Sequence, residues 1–235
     1  MQAKPTKQER AFDPHDVPAY SLPESARYTK LPVATLRSWV VGRPYPRRSG
    51  VAHFQPLIRP PSRRPPVLSF ANLVEAHVLR SLRTEHGVSL KDLRTALTYA
   101  ERHLRIERLL LSKQLRTGAG RVFLDRYGQL IELSASGQIA MRRMFEEHLS
   151  RVEWGELEVP TRLYPFVSSA TEGSAKPIAI DPRIAFGRPI VARAGVSTQV
   201  IASRIDAGET VTDLASDYDL DAREIEEAVL YERAA

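Results

Sequence analysis

Apolar residues recur at spacings of three and four along most of this 235-residue chain, and at a spacing of two only in brief runs. That pattern predicts mainly helices, with short strands between them. Residues 1–19 hold few large apolar groups and three prolines, Pro5, Pro14 and Pro18, so a flexible arm is expected, with structure beginning near Tyr20. Ser21-Leu22-Pro23-Glu24 has the form of a capping box and opens a short helix ending near Tyr28. After a turn at 29–32, Leu36, Trp39 and Val40 share one face of a helix over 33–41, which leaves Thr35, Arg37 and Ser38 on the other faces until Gly42 stops it. Two short helices joined by a tight turn are the pattern of a helix-turn-helix. The stretch 42–66 that follows is rich in Arg and Pro around one β-like run at 51–58, and is expected to form a basic hairpin, or wing.

Farther along, Ser69 caps a helix in which Leu73, Ala76, His77, Leu79, Leu82 and Arg83 give an amphipathic pattern ending near His86-Gly87. Ser89 caps another, from Leu90 to Tyr99 or beyond, with Leu93, Ala96 and Leu97 inward, while 103–115 suits either a helix or a turn into a strand. Runs at 122–125 and 130–133 around Tyr127-Gly128 predict a hairpin. A helix follows at 137–149, with Ile139, Met141, Met144, Phe145 and Leu149 inward. Pro160, Pro165 and the small polar run 168–174 make 155–174 the best linker. Beyond it lie short strands at 178–180 and 190–191 and helices at 197–207, 212–218 and 221–231; Gly208 ends the first, and Thr212 and Asp221 cap the other two. The last pair repeats the helix-turn-helix spacing.

The expected fold is therefore mainly α with short β-hairpins, an α+β chain. It divides into a flexible arm (1–19), a winged helix-turn-helix domain with an extension (20–154), a linker (155–177) and a small C-terminal domain of short strands and a three-helix bundle (178–235).

Charge separates the two ends. Residues 1–70 carry twelve Lys/Arg against four Asp/Glu, whereas residues 205–235 carry two against ten. One end suits a polyanion and the other a basic protein patch. Arg43, Arg47, Arg48, Arg59, Arg63 and Arg64 are placed to neutralise phosphates, and Arg37 with Thr35 and Ser38 to meet base edges in a major groove. The alternative is a solvated connector. The C-terminal helix pair shows Asp217, Asp219, Asp221, Glu224, Glu226 and Glu227, which repel phosphate, so protein and not DNA is its expected partner.

Catalytic readings find little support. The chain has no cysteine, which excludes disulfides, thiolate zinc sites and cysteine nucleophiles. The six histidines (15, 53, 77, 86, 103 and 148) lack metal-ligand spacing and are expected to be lone surface residues. Glu146-Glu147 reads as an ordinary exposed pair, and no phosphate-cradling loop or nucleophile elbow is present. No enzymatic activity, cofactor or metal is expected. Neither a secretory signal nor a run of membrane-spanning length appears, so a cytoplasmic location is expected.

Residues 20–28 followed by Leu31-Pro32-Val33-Ala34-Thr35-Leu36-Arg37-Ser38-Trp39 resemble the winged-helix start of MerR-type regulators, here with a longer, proline-richer wing. Residues 178–231, built on Asp181-Pro182-x-Ile184-x-x-Gly187-Arg188-Pro189-x-Val191, resemble a small antitoxin-like domain family of unknown function, with Ala192-Arg193-Ala194-Gly195 where that family usually has Gly-Thr-Arg. Together the halves are similar to a VapB-like antitoxin. The resemblance implies operator DNA and a PIN-domain, VapC-like RNase as partners, with homodimerisation on a palindromic site. Arg188, or else Arg193, would then meet the carboxylates of the nuclease site, although Arg188 pairing with Asp181 inside its own domain is the competing expectation. Two other classes remain open. One is a stand-alone regulator whose C-terminal domain serves dimerisation or sensing; the other is an adaptor that binds only proteins.

Overall fold

The computed structural model describes residues 15–47, 50–83, 90–105, 108–111, 135–155, 159–166 and 176–234. Among the described residues, eight helices and several short antiparallel strand pairs make an α+β fold. The N-terminal part runs β1 (Tyr20–Ser21), α1 (Leu22–Thr29), α2 (Val33–Val40), β2 (Arg43–Arg47), β3 (Gly50–Phe54), β4 (Ser62–Arg63), β5 (Pro66–Leu68) and α3 (Phe70–Arg83). Then come α4 (Leu90–Leu104), a 3₁₀ turn (Leu109–Leu111), α5 (Ala135–Ser150), β6 (Val152–Trp154) and β7 (Pro160–Leu163). The C-terminal part has β8 (Ile178–Ala179), a 3₁₀ turn (Ala185–Gly187), β9 (Ile190–Val191), α6 (Thr198–Asp206), α7 (Val211–Tyr218) and α8 (Ala222–Arg233).

Local chemistry explains the helix starts. Ser21 accepts from the Glu24 amide while Glu24 accepts from the Ser21 amide, so the capping box holds α1 as its sequence predicts. Ser69 and Asn72 do the same for α3. For α7 the cap is Thr210 with Asp213, not Thr212; a carboxylate three residues on lets Thr210 close a reciprocal pair, whereas Thr212 sits inside the first turn. Asp221 caps α8 in a box with Glu224.

Helix α3 is the hub. It packs against α1, α5 and the 3₁₀ turn at Leu109–Leu111. Residues 70–79 are all buried, which departs from the amphipathic helix expected, because neighbours cover the faces where polar residues stand. Those polar groups find partners: Asn72 Nδ2 donates to Glu75 Oε2 at 2.8 Å, and Arg108 grips Glu75 at 3.1 Å and Asp16 at 3.0 Å. His77 and His148 are likewise buried, with ring centroids 5.0 Å apart, and are not the surface residues anticipated. Their apolar flanks on α3 and α5 bring them inside.

The segment before Tyr20 is pinned where it is described, since the His15 carbonyl accepts from the Ala71 amide at 3.0 Å and Ala19 N–H donates to Leu68 O at 2.9 Å. β1 and β4 flank β5, with Tyr20 opposite Leu68 and Ser62 opposite Val67. Four residues of the stretch read as linker form strand β7, which pairs with β6 and then, through Leu163 and Ile180, reaches β8. The run 51–58 is strand only to Phe54; the Leu57 and Ile58 amides instead donate to Trp39 O at 2.7 and 3.0 Å. Helix α4 ends at Leu104, and a separate 3₁₀ turn follows. The hairpin expected at 122–133 lies outside the described residues.

One buried cluster takes in residues from Tyr20 to Tyr231, including Leu36, Trp39, Leu73, Ile180, Ile201, Leu214 and Ile225. In the C-terminal part, α8 lies against α6, α7, β8 and β9.

Candidate functional site

Helix α2 buries Leu36, Trp39 and Val40 and turns Ala34, Arg37 and Val41 outward at i, i+3 and i+7, with Val33 beside them. Pro32 gives its first turn no side-chain cap, so the helix N-terminus is open to an acceptor such as phosphate. Of the three α2 residues singled out in the sequence, only Arg37 is exposed. Thr35 and Ser38 are half-buried, and the Ser38 hydroxyl donates to Thr35 O at 2.7 Å. Val33 and Val41 complete the outward face, and both are among the exposed large apolar residues. Their signal in the sequence was plain: large apolar groups outside the Leu36, Trp39 and Val40 stripe.

The wing forms as β2 and β3, with Arg43 opposite Phe54 and Arg47 opposite Gly50. Tyr45 stacks on Phe54 at 4.1 Å, and Arg94 of α4 sits over the same ring at 5.2 Å while donating to Gln55 O. Gly42 joins α2 to the wing at φ +82, and a side chain there would put a Cβ 2.2 Å from Phe54 O. Arg43, Arg59, Arg63 and Arg64 are exposed; Arg48 and the side chain of Arg47 lie outside the described residues. Arg37 and the exposed Arg43, Arg59, Arg63 and Arg64 thus stand on connected elements, and among the described residues no carboxylate pairs with them to remove their charge from a phosphate.

A second cluster lies where the Gly187-Arg188 turn meets α1. Tyr20 donates its hydroxyl to Gly187 O at 3.0 Å in a buried contact. Arg188 pairs with Glu24 and donates to the Tyr28 hydroxyl at 3.4 Å. Burial pushes the Glu24 carboxyl upward, but the Ser21 amide and hydroxyl and the Arg188 guanidinium outweigh it, so Glu24 titrates below its ordinary range. Nearby, Arg27 pairs with Glu232, and Lys30 Nζ lies 4.6 Å from the Tyr231 ring centre. Arg188 does not pair with Asp181. That buried carboxylate is taken by Arg183, at 3.0 Å, and by Arg162, at 3.2 Å, and those two cations bring its titration down against the upward push of burial.

On the acidic side, Glu224 accepts the Asp221 amide at 2.9 Å and pairs with Arg193 at 2.9 Å, so both residues hold the start of α8. Asp217 pairs with Arg204 at 2.6 Å. Glu227 is half-buried with Arg223 3.9 Å away, and Glu226 is exposed. Sequence reasoning grouped these carboxylates as one face; the structure divides them into structural and outward members.

Phe186 was missed. It is 94% exposed, and both it and Ala185 adopt left-handed backbone, at φ 53 and 47. Such a conformation costs a non-glycine residue about 1–3 kcal/mol and persists only where surroundings impose it. They do so here: Ile184 N–H donates to Asp181 O at 3.0 Å, Gly187 N–H to Ile184 O at 2.9 Å and Arg188 N–H to Ala185 O at 3.0 Å.

Among the described residues no cluster of three or more His, Asp or Glu could hold a metal ion, and no helix is long and apolar enough to cross a membrane.

Comparison with known proteins matches residues 18–97 to a family described as "Putative DNA-binding HTH domain" and residues 178–231 to a "Protein of unknown function (DUF433)". Over 233 residues, 91% of this chain and 93% of the relative, it is 28% identical to "Putative antitoxin VapB45" of Mycobacterium tuberculosis (strain ATCC 25618 / H37Rv). Its fold is similar to the crystal structure of Rv2018 from Mycobacterium tuberculosis, with a TM-score of 0.65 at 23% identity over 91% of this chain and 98% of that one.

Proposed function

We propose that this chain is a type II antitoxin that binds its own operator through the MerR-like winged helix-turn-helix and neutralises a PIN-domain, VapC-like RNase in the cytoplasm. The observation that carries the DNA half is the outward face of α2: Arg37 stands exposed between Ala34 and Val41, next to a wing and connector with exposed Arg43, Arg59, Arg63 and Arg64. Apolar groups on such a face suit thymine methyls, Arg37 suits a guanine edge, and the flanking cations suit phosphates. Arg47 and Arg48 belong to the same wing sequence. A homodimer on paired half-sites adds binding energy and matches a two-fold operator.

The toxin half rests on the full-length similarity to an antitoxin and on the acidic C-terminal helix pair. Glu226, exposed on α8, is the carboxylate we expect to meet a basic RNA-binding surface, with the half-buried Glu227 at its edge and Glu224 and Arg193 holding the start of the helix. Arg188 reaches the partner only through its exposed edge, because Glu24 engages it.

A second reading has a specific observation in its favour. The Gly187-Arg188 turn and Glu232 hold α1 of the helix-turn-helix directly. A stand-alone regulator whose C-terminal part serves sensing or dimerisation would use such a seam. Co-expression with the product of the adjacent reading frame separates the two: co-purification of a small nuclease supports the antitoxin, and its failure favours the regulator. A gel-shift series on the chain's upstream DNA tests the DNA half, since each phosphate contact contributes about 0.9 to the slope of log affinity against log salt.

A further inference from the structure

We infer that Phe186 is a preformed apolar anchor by which this chain seats in its protein partner; this rests on the antitoxin reading and names the point of contact. Three observations converge on one turn. The ring is 94% exposed, farther out than any other large apolar residue described. Its backbone, with that of Ala185, is held left-handed at a position where glycine would relieve the strain. And the turn that imposes this is rigid, fixed from below by the buried carboxylate of Asp181 and from the side by Tyr20 on Gly187. A solvated loop needs neither an aromatic ring nor strain. Strain together with an exposed ring fits a residue whose apolar surface is covered only in a complex, and a backbone already held in place loses little freedom on docking.

The occupant is the nuclease of the proposed function. Within the turn itself, residues 181–189, Arg183 and Arg188 stand against Asp181, an excess of one positive charge. Arg183 keeps 60% of its side chain exposed. A pocket that accepts a phenyl ring and is bordered by carboxylates complements this turn, and a metal-dependent nuclease site supplies carboxylates at its rim.

The test uses the full-length chain with the nuclease encoded by the adjacent reading frame, comparing wild type, Phe186→Ala and Phe186→Tyr by titration calorimetry. Phe186→Ala is expected to weaken nuclease binding roughly 30-fold or more, as a central anchor does, and Phe186→Tyr to stay within a few-fold of wild type. Melting temperature and operator binding should not change, because the ring touches neither core nor DNA. Nuclease affinity equal to wild type in Phe186→Ala would overturn the anchor while leaving the antitoxin reading intact. Loss of a homodimer by Phe186→Ala with nuclease affinity unchanged would also overturn it, by giving the ring to a second copy of the chain. A fall in melting temperature with parallel loss of both partners would assign Phe186 to the fold and overturn it too. If wild type itself fails to bind the nuclease, the antitoxin reading falls, and the anchor with it.

Discussion

The chain builds the same helix pair twice and gives the copies opposite surfaces. In the first, Ser21 caps an eight-residue helix, Lys30 ends it in left-handed conformation at φ 53, and the next helix begins at Val33. In the second, Thr210 caps an eight-residue helix, Asp219 ends it at φ 51, and the next begins at Ala222. Cap to turn to second helix, the spacing is identical. The second helices differ: α2 opens on Pro32 with no side-chain cap and shows Val33, Ala34 and Arg37, whereas α8 opens on Asp221 with Glu224 folded back over its amides and shows Glu226. The first leaves its positive helix end available to an anion; the second fills that end with its own carboxylates. A shared backbone frame therefore says little about the partner, and the first turn of the second helix says most.

The seam joining the copies offers the strongest way to disturb the comparison. Gly187 sits at φ +74, and a Cβ there would lie 2.1 Å from the buried Tyr20 hydroxyl. Gly187→Ala should cost about 3 kcal/mol from backbone strain and overpacking together. That lowers the melting temperature by roughly 6–12 °C in a calorimeter. An unchanged melting temperature would show that the two units are not held through this contact.

Next in size is the outward face itself. Arg37→Ala should weaken operator binding by tenfold or more and relax preference at the contacted base pair, measured by gel shift against mutated operators. Glu226→Lys with Glu227→Lys on the second copy should leave that affinity within about twofold and weaken nuclease capture. Glu224 is left out of this pair because it caps α8.

Acid provides a third comparison, between the buried centre and the seam. His77 is driven well below its ordinary value, first by burial and then by His148, Arg80 and Arg151. Folding therefore favours the neutral ring, and the unfolded chain binds the proton more readily. Stability should fall as pH drops below the unfolded value of about 6.5 and keep falling until the lower folded value is passed. The Glu24 carboxyl, also held low, adds a second loss below its unfolded range, as protonation uncaps α1 and releases Arg188. Denaturant titrations from pH 7 down to about 3 check both, and His77→Gln should flatten the upper part of that decline.

The smallest effect expected is at the rim. Arg188→Ala removes a pair whose members keep 41% and 34% of their side chains exposed, so solvent screening limits the cost to about 1 kcal/mol or less.

What the sequence could reveal follows the range of the forces involved. The capping boxes at Ser21 and Asp221, and the Leu36, Trp39 and Val40 stripe, depend on residues within four positions and were legible. Thr210 was passed over for Thr212, although its partner Asp213 was in view at the capping-box spacing. The burial of α3 on all sides was not legible, because α1, α5 and the turn at Leu109–Leu111 bring in residues as much as 71 positions away, as His148 is from His77. Glu24 shows the limit most clearly: one oxygen caps α1, as the local pattern predicts, while the other meets Arg188 from the far end of the chain. Arg188 stands on a tight turn, but its partner is Glu24 and not the Asp181 that local spacing offers. Phe186 was hidden for a different reason, since an aromatic residue between apolar neighbours reads as core until the backbone turns it out.

The central claim, that the basic copy meets DNA and the acidic copy meets protein, is tested most directly by operator affinity across a salt series. Wild type, Arg37→Ala and the Glu226→Lys, Glu227→Lys double variant are compared on the same DNA. Steep salt dependence in wild type, weaker binding for Arg37→Ala and wild-type behaviour for the double variant are predicted. Equal affinities for wild type and Arg37→Ala, with the double variant altered instead, would contradict it.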